Sequence, residues 1–286
     1  MWGGTFVSTK VLLRHFTPEE ILLLRFALGL FTLFLMQPKR MPVQRKAHEW
    51  YFVSAGLTGI VLYYLCENIA LEYGDASVVS VIVSAAPLFV GLFAALFLHE
   101  RLTASFFAGF AVALAGLCLI SFSGQGRPVV QPRGVLLSAA AAVAWGAFSI
   151  LSGRIAELGY PTLGATRRIF RYGVLLMLPI VILRGFRLTS VVTMNGVEAG
   201  NLLFLGMGAS AICFATWNYA VKQLGSVKTS AYIYATPVMT VLIAAIALHE
   251  HMTAQSALGA VLVLAGLVLS EGRRLPQKEA KKHGAI

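Results

Sequence analysis

Three ionisable residues interrupt long apolar stretches of this sequence: Lys10, Arg25 and Glu67. A charge at the centre of a bilayer costs about 2.5–3.5 kcal/mol on insertion scales, so such residues usually face the protein interior and form pairs. We therefore predict a charged network in which Glu67 is held by Lys10 or Arg25. Glu67 is also the only acidic residue that we place away from the ends of a predicted span, which makes it the candidate for carrying a proton. A carboxylate locked by a basic partner is a poor proton carrier, so the two roles compete.

A second basic group contains Arg167, Arg168 and Arg171. Arg168 completes the predicted charged network, because it is the repeat counterpart of Arg25. Arginine can hold a carboxylate through two parallel hydrogen bonds, which suits amino acids and other organic acids. The alternative for all three residues is that they extend to lipid headgroups and only anchor their helix.

Polar and aromatic side chains are expected to line a cavity for an amphipathic solute. Tyr63 and Glu67 are four residues apart and therefore share a helix face. Asn68 and Asn218 are costly in lipid, and their alternative use is hydrogen bonding between helices. Aromatic rings supply apolar surface with a polar edge. The predicted lining comprises Trp2, Tyr63, Glu67, Asn68, Trp145, Asn218, Tyr232 and Tyr234.

Other chemistry finds no support in the sequence. A helical zinc motif needs histidines four residues apart, whereas His249 and His251 are two apart and His99 is followed directly by Glu100. The sequence also contains no P-loop, no G-x-G-x-x-G and no G-x-S-x-G motif. We therefore predict no metal, no cofactor and no enzymatic activity.

The composition indicates that these side chains are positioned by helices in a bilayer. Hydrophobic residues make up 58% of the chain and charged residues 12%, against about 45–50% and about 25% in soluble domains. We predict ten transmembrane spans, at residues 1–13, 19–36, 51–70, 77–97, 105–122, 134–152, 163–183, 199–219, 229–248 and 255–270. Residues 2–13 cover roughly 18 Å as a helix against about 30 Å of hydrocarbon, so the first helix is expected to be truncated at its N-terminus.

The sequence also repeats itself. Matches at an offset of 150 residues include Asn68 and Asn218, Pro87 and Pro237, and His99 and His249, and matches at 143 include Trp2 and Trp145, and Arg25 and Arg168. Five spans per copy is an odd number, so the second copy must insert upside down relative to the first. We predict a first repeat at 1–122, a second, inverted repeat at 134–270, and a basic cytoplasmic tail at 271–286. Inverted repeats of this kind enclose a cavity at mid-depth and suit alternating access.

Two prolines stand at equivalent positions within predicted spans, Pro87 and Pro237. Proline removes one backbone hydrogen bond from a helix and bends it. We expect each helix to bend there, either as a static packing kink or as a hinge, and we assign both prolines as hinge candidates.

The positive charge is placed as a topology signal. The net charge is +11, and the basic residues are concentrated in the loops and the tail on one predicted side. This bias is typical of cytoplasmic loops. It favours a multi-pass inner-membrane protein with both termini in the cytoplasm, and it argues against nucleic-acid binding.

Small residues recur in spans 5 and 10, including Gly109, Gly116, Gly259 and Gly266. Small faces let helix backbones approach closely. Packing inside the monomer is sufficient to explain them, and a homodimer through these spans is the alternative.

Taken together, these residues resemble the EamA family of the drug/metabolite transporter superfamily. The resemblance rests on Trp2-Gly3, Arg25 after Pro18, Pro87, Glu100-x-x-Thr103 and the Gly109/Gly116 pair, with most of these repeated in the second half. It covers essentially the whole chain. It implies a ten-helix inner-membrane transporter that exports amino acids, metabolites or toxic small molecules. It also implies a cavity lined mainly by spans 1, 3, 4, 6, 8 and 9.

Three functions compete at this point. The first is a secondary transporter that exports small amphipathic metabolites, driven by the solute gradient or by protons. The second is a passive channel or facilitator, which charge rings or an exposed carbonyl filter would favour. The third is a membrane-embedded enzyme acting on lipid, which needs a nucleophile, base or metal converging within the membrane.

Overall fold

The computed structural model describes residues 1–99, 103–121, 131–249 and 253–271, and these residues are largely helical. Its α-helices are α1 (Trp2–Leu12), α2 (Pro18–Met36), α3 (Glu49–Gly56), α4 (Tyr63–Ala70), α5 (Ala76–Val83), α6 (Ala86–Leu98), α7 (Ala104–Ser121), α8 (Pro132–Glu157), α9 (Thr162–Arg184), α10 (Leu188–Val192), α11 (Gly196–Leu203), α12 (Cys213–Leu224), α13 (Ser226–Ser230), α14 (Ala235–Ala247) and α15 (Ala254–Glu271).

Several of these elements are long and apolar enough to cross a membrane. By length and composition, the helical stretches Lys46–Ala70, Ala76–Leu98, Pro132–Glu157 and Gly196–Leu224 meet that condition. Shorter apolar helices occupy Ala104–Ala113, Thr236–Ala247 and Ala257–Ser270. The long helix α2 is also largely apolar, but three charged residues, Glu19, Glu20 and Arg25, fall within its 19 residues. The fold is that of a polytopic membrane protein.

Two of the long stretches are interrupted at equivalent places. We call Lys46–Ala70 the third helix and Gly196–Leu224 the eighth helix, after the predicted spans they contain. The third helix has a π-helical segment at Leu57–Leu62, and the eighth helix has one at Phe204–Ile212. Residues 62 and 212 are repeat counterparts, so the two segments end at the same point of the repeat. Such π segments are frequent at functional sites.

The prolines interrupt their helices rather than only bending them. α5 ends at Val83, and α6 begins at Ala86 with Pro87 in its first turn. In the second half, the 3₁₀ segment Ala231–Tyr234 separates α13 from α14, which contains Pro237. A proline has no backbone N–H group, so the helical hydrogen bond at its position is already missing. The helix can therefore be interrupted just before the proline without the loss of another hydrogen bond.

Helices α7 and α15 pack against each other in antiparallel fashion. Gly109 lies against Gly266, and Gly116 lies against Gly259. A Cβ atom at Gly109, Gly116 or Gly266 would collide with the backbone of the facing helix. The small-residue faces of spans 5 and 10 therefore meet inside one chain, and the homodimer stays a prediction.

Aromatic rings fill the space between the other helices. Phe148 of α8, Phe170 of α9 and Phe214 of α12 are fully buried. The ring centroid of Phe214 lies 5.7 Å from that of Phe148 and 5.2 Å from that of Phe170. Because lipid removes most of the hydrophobic drive between helices, such close packing is a main source of their attraction. The packed rings fix the orientation of the side chains beside them.

Candidate functional site

Three tryptophans from three helices form one cluster. The ring centroids of Trp2 and Trp145 are 5.3 Å apart, and the two rings are almost perpendicular at 86°. The ring of Trp217 lies 5.3 Å from Trp2 and 5.4 Å from Trp145. Tyr63 joins this cluster, 4.9 Å from Trp145. Edge-to-face contacts of this kind are favourable for aromatic pairs.

A small cavity of about 30 Å³ lies against this cluster. Its walls include Trp2, Thr5, Tyr63, Tyr64, Ser84 and Trp145. A water molecule needs at least roughly 10–15 Å³ of such space, so the cavity has room for about two waters. Sites for small organic ligands are about 300–1,000 Å³. A metabolite therefore fits only if the surrounding helices move apart.

Arg25 is completely buried on α2. Its Nε–H donates to Ser210 Oγ at 3.1 Å, and its guanidinium carbon lies 4.2 Å from the ring centroid of Tyr64. Cation–π contacts strengthen when both partners are removed from water. Among the described residues, neither Nη1 nor Nη2 of Arg25 has a hydrogen-bond partner. Tyr64 therefore stands between this buried charge and the cavity that its own ring lines.

Glu67 is also buried, with 1% of its surface exposed. Tyr63, four residues earlier on the same helix, lies beside it, and its Oε1 has no partner within the described structure. Tyr63 lines this cavity, whereas Glu67, which the sequence placed in the lining, does not. The predicted pairing of Glu67 with Lys10 is corrected by the structure. Lys10 Nζ instead donates to the carbonyls of Leu71, at 2.9 Å, and Gly74, because the last carbonyls of a helix attract cations.

Arg168 is engaged by the protein itself and does not point a free guanidinium at the cavity. Its Nε donates to Glu49 Oε2 at 2.9 Å, its Nη2 to Glu49 Oε1, and its Nη1 to the Met41 carbonyl at 3.0 Å. Tyr172 donates to the same carboxylate at 2.7 Å. The sequence predicted a two-pronged contact with a carboxylate of the solute, whereas in the structure Arg168 holds the carboxylate of Glu49. Glu49 was missed because it precedes the span predicted at 51–70.

The two repeat asparagines bond between helices instead of lining this cavity. Asn68 Nδ2 donates to the Pro18 carbonyl at 3.1 Å. Asn218 Nδ2 donates to Thr166 Oγ1 at 2.8 Å, and Asn218 Oδ1 accepts from Ser152 Oγ at 2.6 Å. Both side chains are buried, as expected for polar groups that satisfy each other in a membrane protein.

Of the two tyrosines predicted for the lining in the second half, the structure describes the side chain of Tyr232. Tyr232 is 71% exposed and does not line this cavity. It lies in the 3₁₀ segment Ala231–Tyr234, where the following residue, Ile233, faces the cavity instead. The side chain of Tyr234 lies outside the described part of the chain. Pro87 and Pro237 are buried beside the cavity residues Ala86 and Thr236.

Several lining residues were missed by the sequence interpretation. Ser80 and Ser84 are four residues apart on an otherwise apolar helix, a spacing that puts both on one face. That pattern was a usable signal for a polar strip. Thr5 and Tyr64 gave weaker signals, because the rotation of their helices decides whether they face the cavity.

No group of three or more metal-binding side chains occurs in the described ranges. Glu100, Glu250 and His251 lie outside those ranges. His99 and His249 both have φ of 55°, at the ends of α6 and α14. This left-handed conformation is uncommon for histidine and ends both helices in the same way.

Comparisons with known proteins agree with this architecture. The EamA-like transporter family matches this chain over residues 1–122 and 132–271. The chain is 28% identical to an uncharacterized transporter of Archaeoglobus fulgidus, over 96% of this chain and 95% of that protein. It is 29% identical to a probable terminal-alkyne amino-acid exporter of Streptantibioticus cattleyicolor, over 78% and 73%. It is 27% identical to a probable amino-acid metabolite efflux pump of Salmonella typhimurium, over 94% and 91%.

A solved crystal structure shares the fold, with a TM-score of 0.69 at 23% identity over 94% of this chain and 93% of that chain. The family match covers both halves of the sequence. The relatives from Archaeoglobus fulgidus and Salmonella typhimurium are named as a transporter and an efflux pump, and each matches this chain over nearly its whole length. The chain is a membrane protein and belongs to the EamA-like transporter family.

Proposed function

We propose that this protein is a secondary transporter that exports small amphipathic metabolites across the inner membrane by alternating access. Amino acids, their analogues and similar drug-like solutes form the substrate class. The names of two relatives, an amino-acid exporter and an amino-acid metabolite efflux pump, support this class. No observation favours the channel or the lipid-acting enzyme.

The observation that carries the proposal is a pair of contacts related by exchange of the two halves. Gly3 of α1 lies against Met239 of α14, and Gly146 of α8 lies against Phe89 of α6. Gly146 is the counterpart of Gly3 at offset 143, and Met239 is the counterpart of Phe89 at offset 150. Exchanging the halves turns one contact into the other, as a two-fold axis between inverted copies requires. This supports ten spans in two inverted five-helix repeats, at 1–122 and 134–270.

The size and chemistry of the cavity support a carrier of small amphipathic solutes. Two tryptophan and two tyrosine rings contribute to its wall, and the hydroxyl-bearing residues Thr5, Ser80 and Ser84 line it as well. Such a wall suits a solute with an apolar side and a few polar groups. At about 30 Å³ the cavity is too small for a metabolite. Loading therefore requires the conformational change that alternating access supplies.

The orientation follows from the same repeat. With the basic tail at 271–286 and the other basic loops in the cytoplasm, both termini lie on the cytoplasmic side. Reporter fusions at the two termini test this arrangement, because inverted five-helix repeats place both reporters on the same side.

Counterflow in proteoliposomes tests the transport proposal. Vesicles preloaded with an unlabelled amino acid or analogue should accumulate the labelled solute transiently and saturably, because a carrier exchanges one molecule for another. Solutes for the assay are chosen by a resistance screen, in which cells expressing the chain survive toxic amino acids and analogues. Equilibration without overshoot for every solute that crosses would establish a channel instead.

A matched pair of variants ties the flux to the cavity. Ser84→Leu fills the cavity and should reduce counterflow at least about tenfold, whereas Thr216→Leu changes an exposed residue of α12 and should leave counterflow unchanged. Equal flux in Ser84→Leu and wild type would remove this cavity from the solute path.

A further inference from the structure

The eighth helix holds both α1 and α8 through side-chain hydrogen bonds. Trp2 Nε1 of α1 donates to the Ala209 carbonyl at 3.0 Å, and Ser152 Oγ of α8 donates to Asn218 Oδ1 at 2.6 Å. Ala209 lies in the π-helical segment Phe204–Ile212. The eighth helix is thus connected to the helix that begins each half of the protein.

Each of these bonds has a counterpart in the other half of the repeat. At offset 143, Trp2 corresponds to Trp145 and Ser152 to Thr9; at offset 150, Ala209 corresponds to Gly59 and Asn218 to Asn68. The counterpart bonds would therefore run from Trp145 to Gly59 and from Thr9 to Asn68. Both would involve the third helix, which is the repeat counterpart of the eighth helix.

In the described structure these counterpart groups are unpaired. Trp145 Nε1, Thr9 Oγ1 and Asn68 Oδ1 are all buried, and none has a hydrogen-bond partner among the described residues. Leaving a buried donor or acceptor unpaired is costly, so most proteins avoid it. Here three such atoms occupy the positions that the other half of the repeat uses for two bonds.

The geometry points to an exchange of two hydrogen bonds between the states of the transport cycle. In the described state, Trp2–Ala209 and Ser152–Asn218 are formed; in the opposite state, Trp145–Gly59 and Thr9–Asn68 replace them. The third helix then holds α1 and α8 as the eighth helix does here. This inference rests on the proposed alternating access and names the residues that stabilise its two ends.

At Gly59, the side chain of Phe148 stands in the way of the counterpart bond in the described state. The ring of Phe148 lies directly over Gly59, and any Cβ atom there would collide with it. The repeat counterpart of Phe148 is the much smaller Thr5. The exchange therefore requires α8 to shift along the third helix, so that Phe148 leaves Gly59 and the Trp145 indole reaches its carbonyl.

Disulfide trapping tests the exchange in the full-length chain. The background replaces the three cysteines, Cys66, Cys118 and Cys213, by serine. One variant carries Ser152→Cys with Asn218→Cys, and another carries Thr9→Cys with Asn68→Cys. We expect both pairs to crosslink on mild oxidation, each crosslink to arrest counterflow, and reduction to restore it. A chain carrying both pairs should form only one crosslink per molecule.

Swapped pairs provide the matched control, because neither state brings Thr9 next to Asn218 or Ser152 next to Asn68. These chains carry the same substitutions and should not crosslink. Crosslinking of the Ser152/Asn218 pair alone, in folded protein that elutes as wild type, would overturn the proposal. Crosslinking of both pairs in one molecule would overturn it as well, because the bonds would then not alternate.

Single substitutions give a second readout. Asn218→Ala should shift the population toward the opposite state and Asn68→Ala away from it, each by about twofold to tenfold in the ratio of cysteine labelling at the two ends. Ser138→Ala is the control, since Ser138 Oγ bonds within its own helix to the Gly134 carbonyl. Shifts of the same sign for both asparagines contradict the exchange.

Crosslinking is read on a gel without any solute, so the two proposals can fail separately. If the protein shows counterflow but the Thr9/Asn68 pair does not crosslink, the proposed transport function stands and the proposed exchange of hydrogen bonds is wrong. Both crosslinks with no counterflow for any solute leave the exchange intact and remove the transport function.

Discussion

At the scale of single residues, the site is defined by charges that are buried near one another without forming an ion pair. Arg25 contacts the ring of Tyr64, and Glu67 lies beside Tyr63. The two tyrosines lie between these charges and the cavity. A buried charge without a full set of partners is expensive, and such groups in membrane proteins usually serve a pathway. Movement of either tyrosine would expose a charge to a solute or a proton in the cavity.

Replacing Glu67 by glutamine tests whether this carboxyl carries a proton. If it does, Glu67→Gln should transport at a rate that no longer depends on pH, because glutamine cannot bind or release the proton. The measurement is initial counterflow and net efflux between pH 5.5 and 8. A variant with the wild-type pH profile would assign Glu67 a structural role only.

Glu72→Gln is a demanding control for this experiment. Glu72 lies outside the membrane-spanning stretches, and partial burial together with the nearby charge of Glu19 raises the pKa of its carboxyl. It therefore binds a proton more readily than an ordinary glutamate, although it does not line the cavity. Its pH profile should match that of the wild type.

At the scale of elements, the sequence predicts which segments are helical better than it predicts how each helix is rotated. The repeat and the apolar runs located the helices that supply Trp2, Tyr63 and Trp145 to the cavity. The sequence does not predict how each helix is rotated. Tyr232 was expected in the lining, but it lies in a 3₁₀ segment and its side chain is exposed. The pairing of Arg168 was also out of reach, because its partner Glu49 lies 119 residues away in sequence.

The breaks at Pro87 and Pro237 are the elements most suited to movement, because the helical hydrogen bonds are already interrupted there. Pro87→Ala and Pro237→Ala should restore helical bonding and stiffen both breaks. We expect counterflow to slow by about threefold to tenfold while the yield of folded protein stays near wild type. Pro179→Ala is the control, because Pro179 lies inside α9, far in sequence from both breaks. Unchanged flux in the double variant would leave the prolines as static packing features.

At the scale of the whole molecule, the contact between α7 and α15 joins residues that are repeat counterparts of one another. Gly116 meets Gly259 and Val263, and Gly266 meets Gly109 and Ala113. Adding 150 to 109, 113 and 116 gives 259, 263 and 266. The residues that contact Gly116 are therefore the repeat counterparts of the residues that contact Gly266. Two unrelated helices could pack closely without this correspondence. It is the relation expected of two copies that face each other across a two-fold axis.

The correspondence has a consequence for stability. Gly116→Val and Gly266→Val should destabilise the protein by similar amounts, about 1–3 kcal/mol each, because the added methyl groups meet equivalent backbone atoms. The double variant should lose less than the sum, since separating the helices for one valine also makes room for the other. Thermal unfolding in detergent measures all three. Gly200→Ala is the control: nothing lies within 4 Å of a Cβ atom there, so alanine should be neutral or stabilise α11 by about 0.5–1 kcal/mol. A large loss at only one of the two glycines would mean that the helices meet asymmetrically, and the inverted-repeat arrangement would then lose its most direct geometric support.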